Sequence, residues 1–317
     1  MAALLSVVIP THNRSAEVGH AIRSVLSQEV EPLEVVVADD ASTDDTPEVL
    51  ARLAEADARV KVVRSDSPLG PCGTRNLALE VAQGDLVGFC DDDDAWLPGI
   101  ARHVVEYLSV HPEVHVVSSW HDVVHVDPYR RVPYRGPLVY GHNELLWQNF
   151  AGLPFAIVQR AAVPFDLRFD PALPTGEDWD LWLRCAQERP MHTVPHIGYA
   201  YTQHSGSRVT HNVVAQTEGR RNFLAKHHDA MEPACRLFHE AMLARYEGDR
   251  AAMLRAVTTA SGYVRRERAF ALSALSVAAF AGHAGPRRQD PGLQGRLMAR
   301  LVGRRGVARR SLRTAGH

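Results

Sequence analysis

Short apolar runs of strand length alternate with stretches of helical period through the first 120 residues, and no other feature of the chain narrows its fold as far. LLSVVIP (4–10), LEVVVADD (33–40), VKVVRS (60–65), DLVGFC (85–90) and VHVVSSW (114–120) are rich in β-branched residues, and the longest are apolar on both faces. Between them, residues 15–28 place Val18, Ile22, Val25 and Leu26 at helical spacing behind Ser15 as a cap. Residues 46–57 repeat the pattern with Val49, Leu50 and Leu53, Thr46 serving as N-cap and Pro47 as the first helical residue. Two more helices are expected over 73–83 and over 97–108, the latter opened by Pro98. Strands buried on both faces and separated by helices imply a mostly parallel sheet flanked by helices. Ligands of such sheets bind beyond the carboxyl ends of the strands.

Three of those ends are polar: PTHNR (10–14), ADDASTDDT (38–46) and CDDDDAW (90–96). Acidic clusters at neighbouring strand ends repel one another unless a cation or hydrogen-bond donors are bound between them. A divalent ion, Mn²⁺ or Mg²⁺, held by one or two carboxylates and completed by phosphate oxygens meets that need. If 91–94 is extended, side chains two apart share a face. Asp91 and Asp93 then point into the cleft together, while Asp92 and Asp94 face elsewhere, Asp94 toward the backbone amides before the helix at Pro98.

Beyond the alternating region, 122–174 is rich in Pro, Gly, Tyr and His and reads as strands and long loops shaping a second half-site. EDWDLWLRCAQE (177–188) is a helix with Trp179, Trp182, Leu183 and Ala186 on one face, and the chain after Asn212 is helical. The division expected is a catalytic unit over 1–210, with a nucleotide-binding part over 1–120 and an acceptor part over 121–210, followed by a helical region over 211–317. Cys72, Cys90, Cys185 and Cys235 lie far apart without C-x-x-C spacing, which fits a reducing cytoplasm and argues against a disulfide framework or a zinc cluster. The N-terminus lacks a secretory pattern, and no apolar run reaches the roughly 20 residues of a membrane span. A net charge of −2 gives no case for a nucleic-acid partner, but nine arginines against one acid between Arg287 and Arg313 make the tail basic. That tail is either a solvated end or an attraction to an anionic membrane face.

Taken in order, SVVIPTHNR, LEVVVADDASTDDT, GTRNLAL, GDLVGFCDDDDAWLP and GEDWDLWLRCA resemble the family 2 glycosyltransferases, inverting sugar transferases of GT-A fold, over about residues 4–210. The resemblance implies a nucleotide-sugar donor, with UDP favoured, and a divalent metal. It places Pro10, Thr11 and His12 against the nucleotide base, His12 standing where tyrosine is more usual, with Asp40 reading the base edge and Asp39 beside it. Arg75 falls near the nucleotide or diphosphate; Asp91 and Asp92 count with the donor-binding residues; Asp93 is the favoured metal ligand with Asp91. Asp178 is the implied catalytic base, with Glu177 as its alternative, although TGED (175–178) also fits a capping box at a helix start. His204 is a candidate for the diphosphate or the metal, against the plainer reading of a structural histidine, and His227-His228 reads as a solvated helix face.

The expected reaction is direct displacement of the nucleoside diphosphate by an acceptor hydroxyl on a glycan, lipid-linked intermediate, natural product or protein. The Q-x-x-R-W segment of processive synthases is absent, which favours transfer of a single sugar. A sugar-phosphate nucleotidyltransferase needs a Gly-rich basic loop after the first strand, and PTHNRS contains no glycine. A haloacid-type phosphatase requires Thr or Val four residues after the first aspartate, where Ala95 stands, and a phosphoreceiver domain is far shorter. A non-catalytic nucleotide-sugar-binding protein remains the alternative outside enzymes, although it would be expected to lose Asp93 or Asp178.

Overall fold

The computed structural model describes residues 3–126, 129–150, 155–203 and 212–263. The four apolar runs at the N-terminal end become β1 (Leu5–Thr11), β2 (Leu33–Asp39), β3 (Val60–Arg64) and β4 (Leu86–Phe89). They lie parallel in the spatial order β3-β2-β1-β4. Helices α1 (Val18–Leu26), α2 (Thr46–Ala56) and α3 (Gly70–Val81) make the crossovers. The sheet continues through β9 (Ala156–Gln159), β6 (Val116–His125), β10 (Met191–Gln203) and the two-residue β5 (Ala95–Trp96). Strand β9 is antiparallel to both its neighbours, while β6 and β10 run parallel to each other. Helix α4 (Ile100–Val110) precedes β6; β7 (Arg130–Tyr134), β8 (Val139–Tyr140) and the short α5 (His142–Leu145) lie in the segment expected to hold strands and long loops. After them come α6 (Glu177–Cys185), α7 (Val213–His227), α8 (Pro233–Glu247) and α9 (Arg250–Tyr263).

Alternation along the strands divides the core between the two faces. Leu5, Val7 and Ile9 pack with Val35, Val37, Ile22 and Leu50 beneath α1 and α2. Val8, Val36 and Ala38 pack on the other face with Ala78, Leu79, Leu181 and Trp182 beneath α3 and α6, and Phe223 and Cys235 bring α7 and α8 into the same cluster. Each such side chain, when fully buried, contributes about 1.5–3 kcal/mol before conformational entropy is counted. The polar exceptions sit where chains converge. Glu34, on β2, accepts from the Ser6 hydroxyl and from Gln83 N–H (2.7 Å) and pairs with Lys61 (2.6 Å). A Cβ on neighbouring Gly84 would meet the Ser6 hydroxyl at 2.5 Å, so that position has room only for hydrogen.

Several helix starts differ from expectation because tertiary contacts set them. Thr46 is the first helical residue of α2 and not its cap, and its hydroxyl accepts from Arg14 N–H at 2.9 Å. Helix α1 begins at Val18, past Ser15, and α4 begins at Ile100 after Gly99 in the left-handed region, past Pro98. Helix α3 starts three residues before the expected Gly73, because Asp40 receives the amides of Leu69 and Gly70. None of the described helices is long and apolar enough to cross a membrane.

His227 is buried, not solvated as expected; only its neighbour His228 is exposed. Its Nε2 lies 2.9 Å from Asp180, a fully buried carboxylate on α6 that also pairs with Arg184 (2.9 Å) and Lys226 (2.8 Å). Burial alone would raise the Asp180 carboxyl; His227, Lys226 and Arg184 outweigh it and hold the group well below the ordinary range. The stability it contributes is therefore present above the unfolded-state pKa of about 4 and is lost as pH falls below it. Asp180→Asn is expected to lower unfolding free energy at pH 7 by about 3–5 kcal/mol and to flatten the acid side of the stability curve, read by urea unfolding between pH 3 and 7.

Candidate active site

The carboxyl ends of β1, β2 and β4 open into one cleft of about 1120 Å³. The loops after β1 and β2 are fastened to each other. Asn13 adopts φ +52°, a conformation asparagine tolerates better than most residues, and its side-chain oxygen accepts from Thr43 N–H (2.8 Å) while its own N–H donates to Ser42 (2.8 Å). His12 is fixed in one tautomer. Its Nε2 accepts from the Asn13 amide (3.0 Å), so Nδ1 carries the proton and donates to Asp40 O (2.6 Å). With both nitrogens engaged, the His12 ring offers the cleft a face for stacking and no spare donor. Asp40 lines the cleft with one carboxylate oxygen tied to Leu69 N–H (2.6 Å) and the Ser65 hydroxyl (3.3 Å) and the other to Gly70 N–H (3.0 Å).

The four aspartates form a turn, with Asp94 N–H donating to Asp91 O at 3.2 Å, so they are not the extended segment the spacing suggested. The turn sorts them differently from alternation. Asp91, Asp92 and Asp93 all line the cleft, and only Asp94 turns inward. Asp94 accepts Thr202 N–H from β10 at 2.7 Å, not the amides before Pro98, and so staples the turn to the strand opposite. Burial pushes the Asp92 carboxyl up to about 7, and the Asp93 charge adds to this, while the Thr11 hydroxyl and Arg14 work against it. Arg14 stands 4.0 Å from Asp93. The strand carrying Thr11 lies between β2 and β4, so the two acidic ends are separated by one strand and are not adjacent.

Across the cleft, Gly176 in the left-handed region (φ +80°) turns the chain into α6, which presents Glu177 and Asp178 at its first turn. Asp178 accepts from Asn149 Nδ2 (2.8 Å) through one oxygen and from Trp179 N–H (2.7 Å) through the other. The capping box read from TGED does not form: Gly176 is the N-cap, with no side-chain cap hydrogen bond, the Thr175 hydroxyl donates to Ala215 O, and among backbone amides Asp178 accepts only that of its own neighbour. Burial raises the carboxyls of both Glu177 and Asp178, each against the pull of Arg75. The buried Arg75 guanidinium joins the two sides. Nη2 donates to Asp91 (2.8 Å) and Nη1 to Glu177 (2.9 Å). Burial alone would lower its pKa; the two carboxylates reverse that and keep it charged.

The remaining walls are aromatic and helical. His121 stacks between Tyr134 and Tyr199, with centroids 4.7 and 4.6 Å away, and burial lowers its pKa to about 4, keeping it neutral. From α7, Gln216, Gly219, Arg220 and Phe223 complete the lining beside Trp179.

Of the residues singled out in the sequence, Pro10, Thr11, His12, Asp40, Arg75, Asp91, Asp92, Asp93 and Asp178 meet in this cleft, as does Glu177. Asp39 does not. It is buried behind the cleft, paired with Arg64 and accepting from Ser42 N–H at 3.1 Å. His204 lies outside the described residues. Sequence reasoning gave no role to Arg14, although it closes PTHNR, and missed Asn149, His121 and Arg220, which reach the cleft from a loop, a strand and a distant helix without a local motif to mark them.

The family model described as Glycosyl transferase family 2 matches residues 6–163. A Mycobacterium tuberculosis relative, Uncharacterized protein MT1568, is 30% identical over 242 residues, covering 70% of this chain and 72% of that protein. The Campylobacter jejuni GalNAc(5)-diNAcBac-PP-undecaprenol beta-1,3-glucosyltransferase is 42% identical over 96 residues, 30% of this chain and 31% of that protein. Three of the curated relatives the chain matches are covered over only 31%, 25% and 62% of their own lengths. Among solved structures, S. aureus TarS 1-349 in complex with UDP-GlcNAc superposes with a TM-score of 0.62 at 18% identity, over 87% of this chain and 89% of that one. The mannosyltransferase PcManGT from Pyrobaculum calidifontis, in complex with GDP-Man and Mn²⁺, superposes with a TM-score of 0.59 at 20% identity, over 95% and 87%. The chain belongs to glycosyltransferase family 2, and its mostly parallel, helix-flanked sheet has the GT-A fold of those structures.

Because Arg75 neutralises two partly buried carboxylates at once, Arg75→Met is expected to destabilise the protein by about 3–5 kcal/mol. Chemical denaturation at pH 7 measures this, and the loss should shrink in Arg75→Met/Glu177→Gln, where one of the stranded charges is gone.

Proposed function

We propose that the protein is a metal-dependent, inverting glycosyltransferase that moves one sugar from a nucleotide-diphosphate sugar, best matched by a UDP-sugar, to an acceptor hydroxyl. The observation that carries the reading is the meeting of the Asp91–Asp93 turn with Asp178, more than eighty residues later in the chain, in one cleft bridged by Arg75. The His12 face and Asp40 are the surfaces for a base; Asp40 keeps acceptor capacity on the oxygen that holds only Gly70 N–H.

The donor set fits a divalent cation. No group of three or more His, Cys, Asp or Glu side chains among the described residues forms a cage. Asp93 with Asp91 supplies one or two oxygens of the kind Mn²⁺ or Mg²⁺ accepts when phosphate and water complete the shell. When bound, the ion would neutralise charge on the departing diphosphate. Arg75 orients Asp91 and fixes its separation from Glu177. Asp178, held by Asn149 and Trp179 N–H, takes the proton of the acceptor hydroxyl as it attacks the anomeric carbon opposite the leaving group, which inverts configuration. Burial raises the Asp178 carboxyl, making it a stronger base than a free aspartate while leaving it ionised above that raised value. The acceptor class the relatives suggest is a glycan or lipid-linked intermediate. The Campylobacter protein's name gives a diphospho-undecaprenol substrate.

Asp178→Asn should lower kcat by about 10²–10⁴-fold with UDP affinity unchanged. In the wild type, the acid limb of kcat/KM should lie above the ordinary aspartate value of about 4, since the base form is lost as pH falls through the raised pKa. Near-normal turnover in the variant overturns the base assignment. In thermal-shift titrations of UDP-, dTDP- and GDP-sugars, UDP-sugars with Mn²⁺ should stabilise the protein by about 2.7 kcal/mol at a hundredfold excess over Kd. Asp93→Asn should remove the metal-dependent part. Absence of metal-dependent stabilisation by any nucleotide sugar overturns the reading.

A further inference from the structure

Arg220 is a buried-site arginine of a different kind from the others. Arg75 is held by Asp91 and Glu177, and Arg184 by Asp180. Arg220 contacts the Nδ1 of His239 at 2.9 Å, lies over the Trp179 ring at 5.1 Å and neighbours the Tyr246 phenol, and among the described residues no carboxylate is within ion-pair distance of it. His239 does not neutralise it. The histidine's Nε2 donates to Leu146 O at 2.7 Å, so Nδ1 is the unprotonated acceptor, and burial and the Arg220 charge hold the ring neutral. His239 and the Tyr246 phenol thereby take two of the guanidinium's five N–H donors, and the fork retains the others. Arg220 also lines the cleft, beside the ring of Trp179, the residue that follows the proposed base Asp178. An uncompensated guanidinium at a low-dielectric wall is costly unless an anion visits it.

We infer that Arg220 forms an oxyanion subsite on the acceptor side of the cleft, taking a phosphate or carboxylate group carried by the acceptor. The inference rests on the reading of the cleft as a glycosyl-transfer site. Planar paired N–H donors suit either group, and the Trp179 ring lies 5.1 Å from the guanidinium carbon. The bound anion would bring an acceptor hydroxyl within reach of Asp178, so the subsite selects charged acceptors over neutral ones of the same sugar.

Calorimetric titration of the full chain, with UDP and Mn²⁺ saturating, tests this using glucose 1-phosphate, glucuronate and glucose. At least one of the two anions should bind tenfold or more tightly than glucose, and the better one identifies the group recognised. Arg220→Gln should erase the preference, and Arg220→Lys should retain part of it. Both variants should keep UDP affinity and cooperative melting. Equal binding of all three sugars, absence of measurable binding at millimolar concentration, or an undiminished preference in Arg220→Gln overturns the inference. So does an anion preference that appears only without UDP, since the site then belongs to the donor diphosphate. If UDP itself fails to bind, the glycosyl-transfer reading falls, and the titrations without UDP still decide whether Arg220 selects anions. If Arg220→Gln melts without cooperativity, the comparison of wild type with Arg220→Lys decides, and identical preferences in those two at all pH values from 6 to 8, with glucose bound equally, count against the subsite.

Discussion

The Arg75 guanidinium holds the architecture of the cleft together. It leaves α3 between two acidic segments, one at the end of β4 and the other at the start of α6, and hydrogen-bonds both. Without it, Asp91 and Glu177 would face each other across a partly dry space, and the segments carrying them would be driven apart. Because the bridge is buried, its Coulomb attraction is weakly screened. The distance between the aspartate turn and Asp178 is therefore set by a rigid cross-link and not by loop packing. The Asp94 staple to Thr202 and the Asn13 staple to the β2 loop do the same on either side, so each edge of the cleft is held by a polar tie.

The strands of the N-terminal half were legible because β-branched runs apolar on both faces leave few alternatives to a covered parallel sheet. Their polar ends were legible because such sheets bind ligands there. The second half was legible in its helices, α6 and those after Asn212, and not in the order of its strands. Strand β9 enters between β4 and β6 with four residues, too few to register a period, and antiparallel to both. The geometry of the aspartate run was misread because alternation presumes an extended chain, whereas the Asp94 N–H bond to Asp91 O closes a turn. Asp39 and Asp40 are adjacent in sequence and chemically alike. Only the partner on each side, Arg64 for one and the α3 amides for the other, places one behind the cleft and the other in it. His227 escaped for a similar reason, since its burial depends on Asp180 from another helix.

Buried charge is handled in two ways in this chain. Asp180 and Arg75 are satisfied by oppositely charged side chains, and their elements are locked in consequence. Among the described residues, Arg220 is met only by neutral groups, a histidine acceptor, an indole face and a phenol. The first arrangement stabilises the fold, and the second keeps a charge available at a surface that water and solutes can reach.

Glycine at position 219 has a consequence beyond packing. A single carbon added there would fall 2.2 Å from the Thr175 hydroxyl and 2.5 Å from its carbonyl oxygen. Helix α7 and the turn into α6 thus share one surface with no slack, although some forty residues separate them in the chain. In descent, the two segments are obliged to change together. A substitution that enlarges residue 219 must be met by a reshaped turn at Thr175, and with it a shifted start of the helix that carries Asp178.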